Sequence, residues 1–147
     1  MVYSARFEEQ TRLSFHDMIE VFSETLVGFE PRRASPSELF FRVSYTRVLS
    51  RNHEETYEGY LAVDGDALSL NPDNPALSEG TIDGLRIRIG GERIRIETPE
   101  LQLSELAVAS QSEGNIARLF TDQNWRVRVS LDGDYQTGGE LLPYQHH

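Results

Sequence analysis

TIDGLRIRIGGERIRIET, residues 81–98, decides the fold class of this chain. Leu85, Ile87 and Ile89 alternate with Arg86 and Arg88; after Gly90-Gly91, Ile94 and Ile96 alternate with Arg93 and Arg95. Alternation at period two marks strands buried on one side, and a Gly-Gly step between two such runs marks a hairpin. A two-residue loop sets Ile87 opposite Ile94 and Leu85 opposite Ile96. On the other face it sets Arg88 opposite Arg93 and Arg86 opposite Arg95. One face is apolar, and the other is expected to carry four guanidiniums. Trp125 to Leu131 repeats the pattern with Arg126 and Arg128 at even positions, so that strand would extend the patch if it lies alongside.

Working outward, Phe15, Met18, Ile19, Phe22 and Leu26 fall on one face of a helix, with Ser14 as N-cap, Asp17 closing a capping box and Gly28 as the stop. Asp17, Glu20 and Glu24 are expected on its solvated side. Val2-Tyr3 and Phe7 suggest a short edge strand. A strand over 39–50, with Phe41, Val43 and Tyr45 inward, pairs with one over 55–63. An odd loop around Arg51-Asn52-His53 would set Val43 against Leu61 and Phe41 against Val63, which keeps a single apolar face. Asp64-Gly65 reads as a tight turn before a short strand through Leu68 and Leu70. Residues 71–84 read as a long loop, and Pro99 as a break before a further strand through Leu101 and Leu103. Ile116 to Phe120 reads as one turn of helix. A last strand follows the Asp132-Gly133-Asp134 turn, and 143–147 is expected to be a frayed tail.

The expectation is one α+β domain over 1–147. It has one main N-terminal helix packed on a strongly twisted, mostly antiparallel sheet of about seven to nine strands, curling toward a half-barrel. A chain of this length can bury about 70% of its unfolded surface, so no metal or disulfide staple is needed.

Composition then removes whole classes of chemistry. Cysteine is absent, which excludes thiolate catalysis and Cys-based zinc sites. Lysine is absent too, all fourteen basic residues being arginine, which excludes Schiff-base enzymes and a Walker-type lysine. No nucleophile elbow, phosphate loop, dinucleotide fingerprint or HExxH motif occurs. His16 and His53 have no spacing that brings them together, so neither a metal nor a cofactor is expected. The opening residues carry no basic-then-apolar leader and no apolar run approaches about 20 residues, so a cytoplasmic, soluble protein without membrane contact is expected.

The net charge of −10 argues against general nucleic-acid binding, yet residues 85–96 carry a local charge of +3. Like charges opposite one another on a ladder repel, and the repulsion is offset either by nearby carboxylates or by an anionic partner. The first functional reading is a non-catalytic protein-interaction or assembly module, an accessory or structural subunit. It would bind an acidic partner or a second copy through Arg86, Arg88, Arg93, Arg95, Arg126 and Arg128 together with the 71–84 loop. A second reading is a small-ligand-binding protein or simple hydrolase. Its pocket between helix and sheet would be lined by Phe22, Tyr45, Tyr57 and Trp125, with polar work falling to His16, Glu20 or His53. A third is an acidic immunity or inhibitor protein.

Overall fold

The structure is a computed structural model in which residues 2–8, 12–130 and 136–143 are described. The strands are β1 (Val2–Glu8), β2 (Arg33–Ala34), β3 (Glu38–Ser50), β4 (His53–Ser69), β5 (Glu79–Ile89), β6 (Glu92–Gln102), β7 (Asn124–Ser130) and β8 (Gln136–Pro143). The helices are α1 (Phe15–Leu26), α2 (Leu103–Ala109) and α3 (Glu113–Thr121). The strands form one eight-stranded sheet in the order β2-β3-β4-β5-β6-β1-β7-β8. All its pairings are antiparallel except β1 with β7. The described residues are therefore mixed α+β with a mostly antiparallel sheet, and they include three helices where one main helix and one further helical turn were expected.

The β5–β6 hairpin has the register expected of it. Leu85 pairs with Ile96, Arg86 with Arg95, Ile87 with Ile94 and Arg88 with Arg93. Gly90 and Gly91 have φ of 56° and 81°, as a type I′ turn requires at both central positions. The α1 cap is also as expected: the Asp17 N–H donates to Ser14 Oγ at 3.0 Å, and the Ser14 N–H donates to Asp17 Oδ2 at 2.8 Å. The expected inward positions of α1 join alternate positions of the strands, Leu103 and Leu106 of α2, and Ile116 and Phe120 of α3 in one hydrophobic cluster. Trp125 belongs to this cluster, fully buried, with ring contacts to Tyr3 at 5.5 Å and Phe15 at 5.0 Å. Its indole N–H donates to Phe120 O at 2.7 Å, which satisfies the buried polar atom.

Elsewhere the structure corrects the sequence reading. β1 is not an edge strand; it sits between β6 and β7, with Tyr3, Ala5 and Phe7 buried. On β3–β4 the parity is as expected but the register differs by two: Phe41 pairs with Leu61, Val43 with Gly59 and Tyr45 with Tyr57. A shift between Val48 and Ser50 absorbs the odd residue, and Ser50 pairs with His53 around a two-residue turn. Asp64-Gly65 is a bulge, not a turn, and β4 runs on to Ser69. The expected long loop is shorter, because 79–84 belong to β5 and Pro75–Leu77 form a 3-10 turn. Pro99 does not end β6. It lies where the register slips between Ile82 and Gly84, a bulge at which its missing N–H costs no ladder bond. Leu103 to Val108 is helix, and α3 is longer than the single turn expected. Asp17 is buried, not solvated. The 132–134 turn and residues 144–147 of the expected tail lie outside the described residues.

Candidate functional site

Because β1 inserts between β6 and β7, the arginine face is wider than the hairpin alone implies. Arg86 pairs with Arg95, Arg95 with Arg6, and Arg6 with Arg128, so one lateral row crosses β5, β6, β1 and β7 with an arginine on each. Neighbouring strands lie about 4.8 Å apart, so each of these charges has a like charge directly beside it. In the next row Glu97 pairs with Ser4, which in turn pairs with Arg126. On the other side, Arg88 pairs with Arg93 and with Tyr60 of β4. Burial of Tyr3, Ala5, Phe7, Ile87, Ile94 and Ile96 on the reverse face commits these even-numbered and odd-numbered arginines outward.

The arginines divide into two groups. Arg86 is neutralised: its Nε lies 2.7 Å from Asp64 Oδ2, and its Nη2 lies 3.0 Å from Asp64 Oδ1 and 2.7 Å from Glu38 Oε2. Hydrogen bonding to Asp64 holds its guanidinium pKa above the ordinary value. Of the six sequence-derived positions, Arg86 is thus already occupied by carboxylates. Arg88, Arg93, Arg95 and Arg126 are exposed, as is Arg6, and none of the five forms an ion pair among the described residues. Arg128 is half-buried and takes part in an interaction within the chain. Ser4, Arg6, Arg95, Glu97, Arg126 and Arg128 line a cleft of about 400 Å³ on this face.

A second polar cluster fastens α1 to β3 and β4. The Tyr45 hydroxyl lies 2.9 Å from Asp17 Oδ1 and 2.6 Å from Glu20 Oε2. Arg47 reaches Asp17 Oδ2 through Nη1 and Glu55 Oε2 through Nη2, each at 3.1 Å. The Tyr57 hydroxyl donates to the Glu55 carboxylate. His16 lies 3.1 Å from Glu20, and His53 lies 3.8 Å from Glu55. Burial pushes the Asp17 carboxyl up, but hydrogen bonds from the Ser14 backbone, Tyr45, the Ser14 hydroxyl and Arg47 outweigh it and leave its pKa below the ordinary value. Burial, reinforced by hydrogen bonds to Glu20 and Asp17, pushes the Tyr45 phenol up. The structure therefore joins His16 to Glu20 one helical turn away and His53 to Glu55 of its own strand. Yet Phe22, Tyr45, Tyr57 and Trp125, expected to line a pocket there, are 0%, 2%, 3% and 0% exposed, so they fill the interior. Among the described residues no group of three or more His, Cys, Asp or Glu side chains is placed to hold a metal ion.

Two features of the arginine face escaped the sequence reading. Arg6 lies at its centre; the alternation of Tyr3, Ala5 and Phe7 with Ser4 and Arg6 was the available signal. Phe40 stacks on Tyr60 at 5.2 Å, with Arg33 over Phe40 at 4.4 Å, so aromatic side chains do border the arginines. Those rings stand on β3 and β4, the two strands before the hairpin, and no pattern within the hairpin announces them. Compared with known proteins, the chain matches no family model, no curated protein and no solved structure.

Proposed function

We propose that the chain is a non-catalytic interaction or assembly module. In this reading the helices seal the apolar face of the sheet, and the opposite face docks an acidic partner through Arg6, Arg88, Arg93, Arg95 and Arg126. The observation that carries it is the division of labour among the arginines. Arg12, Arg47 and Arg86 are ion-paired, whereas these five stand on one exposed face without a described carboxylate partner, in a molecule of net charge −10. Like charges directly opposite on a ladder destabilise it, and an anionic partner would offset that cost. A basic face on an acidic body also orients the molecule during encounter. The connector around Pro75–Leu77 packs on α2, so the face carries the proposal without the loop. A soluble accessory subunit is consistent with the absence, among the described residues, of any helix long and apolar enough to cross a membrane.

The test is sedimentation of the wild type and of the Arg88→Glu/Arg93→Glu variant, alone and with a fluorescein-labelled poly-glutamate chain as the acidic probe. The expected result is salt-sensitive binding that falls by about tenfold or more in the variant while the thermal midpoint stays within about 2 °C. Equal binding by the variant, or loss of its fold instead, would show that the arginines serve the chain itself.

A further inference from the structure

We propose that the cleft between β6, β1 and β7 is a binding site for a phosphate-monoester group. This deepens the reading of the same face, since it assumes that Arg6, Arg95 and Arg126 stand open. Three strands deliver four guanidiniums to the cleft, and Glu97 is the one carboxylate among its described lining residues. Arg128 already has an interaction within the chain, so Arg6, Arg95 and Arg126 are the groups that draw the anion. Arg95 and Arg6 are direct cross-strand neighbours, and Arg126 lies beside Ser4 one row away.

The class of anion follows from charge and geometry. A carboxylate supplies one negative charge and two oxygens, enough for a single bidentate guanidinium. A phosphate monoester brings a charge of about −2 and three acceptor oxygens, which suits several guanidiniums approaching from different strands. The Ser4 side chain adds a hydroxyl donor at the same row. A volume of about 400 Å³ exceeds what a bare phosphate fills and leaves space for the organic group it is attached to. A phosphodiester is the poorer fit. It carries one charge per phosphate, its chain would run past Glu97, and the described lining residues include no aromatic ring for a base to stack on. The bound dianion would also relieve the repulsion between Arg95 and Arg6, so binding stabilises the folded chain.

Calorimetric titration and thermal shift of the full chain at constant ionic strength test the proposal, with phenyl phosphate, a phosphoserine hexapeptide, benzoate and the oligonucleotide dT10 as probes. Phenyl phosphate or the phosphopeptide is expected to bind about tenfold or more tightly than benzoate and dT10, and to raise the thermal midpoint. Binding should strengthen as pH rises through about 6, where the monoester becomes a dianion. The Arg6→Gln/Arg95→Gln variant should lose about tenfold or more in affinity, whereas Arg88→Gln/Arg93→Gln, outside the cleft, should change it less than about twofold. Poly-glutamate docking is tested separately with Arg88→Glu/Arg93→Glu, at positions outside the cleft, so the two proposals fail separately. Binding of phenyl phosphate alone assigns the site to a small phosphate ester; binding of the phosphopeptide alone assigns it to a phosphorylated side chain. Equal binding of benzoate or dT10, equal loss in both variants, or no binding of either phosphate probe overturns the site.

Discussion

At the scale of single residues, two arginines that alternate identically in sequence end in opposite states. Arg86 faces Asp64 and Glu38 across β4 and β3, whereas Arg95, its neighbour on β6, faces Arg6. Replacing Arg95 should therefore remove repulsion and little else. Arg95→Thr is expected to raise stability by about 0.5 kcal/mol in low salt. The gain should vanish near 1 M salt, where screening acts over about 3 Å, and chemical denaturation at the two ionic strengths checks this. Asp17 is the opposite case, a buried carboxylate holding the Ser14 cap, Tyr45 and Arg47 together. Its pKa is lower in the folded state, so its contribution is present above the ordinary Asp range near 4 and is lost as pH falls through the lowered folded value. Asp17→Asn should cost about 2 kcal/mol at neutral pH, and the difference from wild type should shrink on acidification below about pH 4 in urea titrations.

At the scale of elements, register rests on a few positions where only glycine fits. A Cβ at Gly59 would stand 1.8 Å from Arg88 O, so β4 and β5 approach each other there only because Gly59 has no side chain. Gly59→Ala should cost about 3 kcal/mol, with loss of amide protection along β4 and β5. In the hairpin turn both glycines have positive φ, but a Cβ at Gly90 meets the Tyr57 ring at 2.5 Å while one at Gly91 meets nothing within 4 Å. Gly90→Ala should thus lower the thermal midpoint more than Gly91→Ala, whose cost is the backbone strain of about 1 kcal/mol. The hairpin and its arginine pairs were legible because their alternation is local and strict. The β3–β4 register was legible only in parity, since Gly59 opposite Val43 and the shift after Val48 have no period-two signature. Asp64-Gly65 was misleading for a related reason: the same dipeptide suits a turn or a bulge, and the pairing of β4 with β5 selects the bulge.

At the scale of the whole molecule, one hydrophobic cluster takes in β1, α1, the central strands, both later helices and Trp125. Such a core should unfold as one unit. Trp125 is fully buried, so its emission should be blue-shifted in the native protein, and its denaturation curve should coincide with far-UV circular dichroism. Separated curves would show that α2, α3 and β7 melt apart from the β3–β6 meander. The same long-range order creates the candidate site. β1 comes from the first residues of the chain, β6 from far along it and β7 from later still, and the cleft does not exist on any one of them.

What this chain's sequence determined alone is its local grammar: a capped amphipathic helix, a Gly-Gly hairpin in a unique register, and strands with arginine on one side and aliphatics on the other. These depend on periodicity and on turn chemistry within a few residues, where steric and solvation preferences act directly. Tertiary structure alone decided that β1 is central, that Arg86 is neutralised while Arg95 is not, and that Arg6 completes the row. Those outcomes depend on which strands become neighbours across gaps of tens of residues. That choice is made by burial of the whole apolar face at once, and charge pairing on the outer face simply follows from it.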